Sequence, residues 1–105
     1  MKITLCQTCP LGKSGFATNL AFALGQAGIP AQIAHVDCMS GCARASTIAF
    51  RATGKTAYLF GDITAADLPD LITFARLYAA TPDGNLQDAR PLGTLRTKAI
   101  ARIPA

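Results

Sequence analysis

Four cysteines stand in two pairs, Cys6-x-x-Cys9 and Cys38-x-x-x-Cys42, and each pair follows directly on a short apolar run. The chain has 105 residues, half of them hydrophobic. One domain of that size buries roughly two-thirds of its unfolded surface, so its core needs no disulfide staples. No stretch reaches the roughly 18 apolar residues of a membrane span. Cys6 and Cys9 also come before any signal-like apolar core could form. The expected address is therefore the cytosol, where thiols stay reduced and paired cysteines read as metal ligands or redox catalysts.

Lys2 to Leu5 can form a first strand, which delivers the chain to Cys6 and Cys9. Pro10, Gly12 and Gly15 mark a loop. From Phe16, the apolar residues Leu20, Ala23, Leu24 and Ala27 recur at helical spacing, and Gly28 with Pro30 supplies the stop. Ala31 to Val36 is too short for an independent helix and reads as a second strand, parallel to the first because a helix intervenes. Parallel strands joined by a crossover end at one edge of the sheet, so both cysteine pairs emerge side by side.

Ser46 to Arg51 and Thr56 to Phe60 flank Ala52-Thr53-Gly54-Lys55 as two antiparallel strands around a tight turn. Asp67 resembles an N-cap, Pro69 sits in the first turn, and Leu68, Leu71, Ile72, Ala75 and Tyr78 or Ala79 form a helical stripe that ends at Thr81-Pro82-Asp83-Gly84. The expectation is an α/β domain over residues 1–84 with a central mixed four-stranded sheet, in the order strand, helix, strand, strand, strand, helix. That is the pattern of a thioredoxin-like domain. Residues 85–105 show little periodicity and hold Pro91, Gly93 and Pro104, so they read as an extended basic C-terminal arm.

A four-thiolate metal site needs four sulfurs converging on one small volume, and two short cysteine clusters on neighbouring loops are the usual means. Cys6, Cys9, Cys38 and Cys42 meet that requirement if the strands are arranged as expected. Iron–sulfur and zinc sites both accept such a set. A third reading uses only Cys6 and Cys9 as a thiol–disulfide oxidoreductase, its thiolate stabilised by the helix that follows. Against it, no proline stands between Pro30 and Pro69, where a thioredoxin-type active site places one before its third strand.

Several segments carry a family resemblance: Cys6-Gln7-Thr8-Cys9, Cys38-Met39-Ser40-Gly41-Cys42-Ala43-Arg44, Gly54 through Asp62, Leu77-Tyr78-Ala79 and Pro82-Asp83-Gly84. From about Leu5 to Pro104 the chain resembles a small bacterial family of predicted metal-binding proteins of unknown function. That family is similar in turn to thioredoxin-like [2Fe-2S] ferredoxins. The resemblance implies that Cys6, Cys9, Cys38 and Cys42 hold a [2Fe-2S] cluster in a one-electron carrier, not an enzyme. It also implies redox protein partners, a link to cobalamin or cobalt metabolism and, since thioredoxin-like ferredoxins are often dimers, a homodimer.

Charge is unevenly spread: residues 1–61 carry a net +4, residues 62–88 a net −4, and the tail restores the total to +4. The basic residues are separated singles without interleaved aromatics, so no nucleic-acid partner is expected. Lys13 and Arg44, each close in sequence to a cysteine, would favour a reduced cluster and an acidic patch on the partner. Gly12-Lys13-Ser14 falls short of a phosphate-binding loop, because Gln7 occupies the position of its first glycine. His35 near Cys38 reads as a structural histidine before a sulfur partner, and Tyr58 and Phe60 read as core. Hydrolytic chemistry has no supporting arrangement.

Overall fold

A computed structural model describes residues 1–6, 15–36, 46–86 and 90–104. Strand β1 (Lys2–Cys6) alternates so that Ile3 and Leu5 are fully buried. Helix α1 (Phe16–Gln26) turns Phe16, Leu20 and Leu24 inward. It starts after Gly15 at φ +78° and stops at Gly28 at φ +70°, where the Ile29 N–H donates back to the Leu24 carbonyl at 3.0 Å. A left-handed glycine after the last turn is a common helix stop, and the sequence places it there. Strand β2 (Gln32–Val36) then pairs parallel to β1, as expected of a crossover.

Strands β3 (Ile48–Arg51) and β4 (Ala57–Phe60) form the antiparallel hairpin around Gly54, whose φ of +75° the turn requires. β3 pairs antiparallel with β1 on the side away from β2. Helix α2 (Leu68–Ala80) packs alongside α1 and buries Leu71, Phe74, Ala75 and Tyr78. The inward face of the sheet, Ile3, Leu5, Ile48, Phe50, Tyr58 and Phe60, joins these helix residues in one core. Phe74 sits at its centre, with its ring centroid 4.7 Å from that of Phe50 and 5.1 Å from those of Tyr58 and Phe60. Tyr58 and Phe60 are thus core residues, as their alternation suggests.

The sheet has five strands, not four, in the order β2-β1-β3-β4-β5. Strand β5 (Ala99–Ile103) comes from the segment expected to be an extended arm, and it pairs antiparallel with β4. Before it, residues Arg90–Lys98 form 3-10 turns that kink at Gly93, and they set Leu92 and Leu95 into the core. Pro91 and Gly93 shape these tight turns rather than abolishing structure. Gly93, at φ +60° and ψ −133°, breaks the run between the two leucines, so their burial follows no single helical period. Neither an α-helical nor a strand period would reveal it.

The start of α2 also differs from expectation. Asp67 stands at the N-cap position of α2 but makes no side-chain capping bond to it, and a 3-10 turn over Ala65–Asp67, with Thr64 as its N-cap, leads into the helix. The Asp67 carboxylate reaches back instead and accepts the Thr64 N–H at 2.8 Å, as the acidic residue of a capping box does. Among the described residues no helix is long and apolar enough to cross a membrane.

Candidate metal-binding edge

Cys6 is the last residue of β1, and its register partner across the parallel ladder is Val36, the last residue of β2. Cys38 follows Val36 by two residues. On the other flank, Leu5 pairs with Ile48, and Cys42 precedes that residue by six. Neighbouring strands lie about 4.8 Å apart. The end of β1 is therefore bracketed by the end of β2 and the start of β3, between which Cys38 and Cys42 fall in sequence. Cys9, Cys38, Cys42, Lys13, Arg44 and the Gly12-Lys13-Ser14 segment lie outside the described residues.

Both helices begin at this edge. α1 runs from the end of β1 back to the start of β2. α2 follows β4, whose final residue Phe60 pairs with Ile48 at the same edge, and its far end meets the start of β4, where the Tyr78 hydroxyl donates to the Thr56 carbonyl at 2.6 Å. Each helix N-terminus carries about half a positive charge from aligned peptide dipoles. Two such ends facing one edge favour anions there, and thiolates in particular.

A second group of side chains fixes the edge. Lys98 donates to the Asp67 carboxylate at 2.6 Å and to the Asp62 carbonyl at 2.8 Å, while its own carbonyl accepts the Gly61 N–H at 2.9 Å. Asp62, a turn residue at φ +54°, and the Ile63 N–H, which donates to the Ser46 carbonyl, complete the corner. Burial raises the Asp67 carboxyl, but hydrogen bonds from Lys98 and Thr64 and the charge of Lys98 outweigh it and hold the group below its ordinary value. No sequence spacing announces this pair, since 31 residues separate its members. His35 is exposed on β2 rather than a buried structural histidine, because β2 is an edge strand.

Parts of the remaining segments that carry the family resemblance, Gly54 to Tyr58, Leu77-Tyr78-Ala79 and Pro82-Asp83-Gly84, converge at the opposite end of the sheet. Lys55 donates to the carbonyl of Tyr78 at 2.8 Å and to that of Ala79 at 3.3 Å, capping the last turn of α2. Its ammonium lies 5.1 Å from the Tyr78 ring centroid. The Tyr58 hydroxyl donates to the Gly84 carbonyl at 2.8 Å and accepts the Leu86 N–H at 3.0 Å. Gly84 needs its missing side chain: φ is +70°, and a Cβ would lie 2.8 Å from both Lys55 Cβ and Tyr78 Cε1. These residues build architecture and stand apart from the cysteine edge.

A family model described as Protein of unknown function (DUF1636) matches residues 3–105. The chain belongs to this family. No curated protein and no solved structure matches it. Membership spans the tail as well as residues 1–84, in keeping with the part that β5, Leu92 and Leu95 take in the fold.

Proposed function

We propose that this chain is a [2Fe-2S] protein that carries one electron between protein partners, with Cys6, Cys9, Cys38 and Cys42 as ligands. The observation that carries the reading is the parallel register of Cys6 with Val36 at an edge toward which both helix N-termini point. It gives the two cysteine-bearing segments a common origin in space and an electropositive setting for thiolates. Four thiols are a soft donor set, which suits iron–sulfur clusters and zinc and disfavours hard cations.

The order strand, helix, strand, strand, strand, helix supports a thioredoxin-like reading of the first four strands, with β5 as an addition at the far edge. The cluster would supply the redox change, while this chain supplies ligands, exclusion of water and nearby charge. Lys13 and Arg44 would favour the reduced form and an acidic docking patch on the partner. A cytosolic address keeps the thiols reduced until they bind metal.

The test is absorption of protein purified without oxygen and reconstituted with iron and sulfide. Visible bands that bleach with dithionite, at about two irons and two sulfides per chain, support the carrier. A colourless protein holding stoichiometric zinc would move the assignment to a zinc module. A metal-free protein that reduces a model disulfide would move it to a thiol–disulfide oxidoreductase.

A further inference from the structure

The end of the sheet opposite Cys6 holds a feature that electron transfer does not use. A cavity of about 450 Å³ opens there, lined by Met1, Lys2, Gln32, Arg51, Ala52 and Thr53. That volume lies within the roughly 300–1,000 Å³ range of small-molecule sites. Its polar side chains are ordered by the ladder itself: Lys2 of β1 pairs with Gln32 of β2 on one side and with Arg51 of β3 on the other. Register partners project from one face of a sheet, about 5 Å from neighbour to neighbour. Gln32, Lys2 and Arg51 therefore stand abreast as three hydrogen-bond donors across three adjacent strands.

Directly opposed like charges weaken a strand pair, so Lys2 beside Arg51 calls for a reason. Among the described residues no carboxylate relieves it, since the ion pair present there, Lys98 with Asp67, lies at the other end of the sheet. All three side chains are exposed and open to a ligand. An arginine fork beside a lysine point charge is suited to phosphate oxygens. The span of the row fits more than one phosphate group. No aromatic side chain lines the cavity, so nothing there would stack on a base or ring.

We infer that the row Gln32, Lys2 and Arg51 binds a small diphosphate-class anion at the end of the sheet remote from the cysteines. The test is a titration of the isotopically labelled full chain with sodium pyrophosphate at fixed ionic strength, followed by amide chemical shifts. Saturable changes at Lys2, Gln32, Arg51 and Thr53 are expected. Lys2→Gln with Arg51→Gln should weaken binding roughly tenfold or more, the loss of a charge-assisted hydrogen bond, whereas Lys55→Gln with Arg102→Gln should leave it unchanged. Should the first double variant fail to fold, Arg51→Lys keeps the charge and removes the fork, and weaker binding again supports the site. Unsaturable shifts, equal binding by these variants and the wild type, or tighter binding of succinate than of pyrophosphate would overturn the assignment.

Discussion

The two ends of this sheet are built in opposite ways. At the end away from Cys6, the hairpin closes on the end of α2: Lys55, Thr56 and Tyr58 meet Tyr78, Ala79 and Gly84 through direct side-chain bonds. At the Cys6 end Lys98 is brought from the tail onto Asp67 and Asp62. The first end is a lock within the fold. The second is a frame, held from outside, around the end of β1 that carries Cys6. The proposed cluster would need the latter, with positioned strand ends and positive helix termini.

The sharpest way to break the contrast is to spoil the lock. Gly84→Ala puts a Cβ against Lys55 and Tyr78 at a left-handed φ and should cost about 3 kcal/mol, combining backbone strain with overpacking. Urea unfolding of the metal-free chain reads this directly, and metal affinity measured below the transition should hold. Lys98→Met removes the frame's fixture and leaves the Asp67 carboxylate without its cation. A loss of roughly 2 kcal/mol is expected, the scale of a hydrogen bond to a charged group, together with weaker metal retention. If Gly84→Ala and Lys98→Met disturbed metal binding alike, the two ends would not differ as described.

Acid and alkali should separate the same two ends. Asp67 has a folded value below its unfolded one, so its stabilisation is present at neutral pH and is lost as pH falls from about 4 through the folded value. Lys98→Met should flatten that acid limb. Tyr78 moves the other way, because burial and then the nearby Tyr58 raise it. Its contribution is complete below about pH 10 and declines as pH rises toward the folded value. Tyr78→Phe should remove this alkaline decline at a cost of about 1–3 kcal/mol near neutrality, since the Thr56 carbonyl loses its donor. Smallest in energy is a charge change beside the cysteines. Arg44→Glu should lower the midpoint potential in film voltammetry without altering the unfolding midpoint of the metal-free chain, and an unchanged or higher potential would contradict the role given to this charge.

What the sequence discloses follows its periodicity. β1, α1 and β2 are legible because Leu20 and Leu24 repeat at helical spacing and Gly28 ends the run, and the parallel rule then puts Cys6 and Val36 at one edge. The hairpin is legible from Gly54. The tail is not, since the break at Gly93 separates Leu92 from Leu95 and the β5 sequence Ala-Ile-Ala-Arg-Ile is a weak strand signal. Asp67 reads as a cap because a carboxylate before Leu68-Pro69 suits one, and it does stand at the N-cap position, but its carboxylate turns to Thr64 and to Lys98, whose separation of 31 residues hides that second partner from the sequence. The like-charged neighbours Lys2 and Arg51 are likewise invisible until register is known.

The central claim is that Cys6, Cys9, Cys38 and Cys42 converge on one cluster at the edge framed by β1, β2 and β3. X-ray absorption at the iron edge of anaerobically reconstituted protein tests it most directly. A first shell of sulfur alone with one iron neighbour is the predicted result, lost in Cys6→Ser and in Cys38→Ser alike. Nitrogen or oxygen in that shell, no iron neighbour, or a spectrum indifferent to either substitution would contradict it.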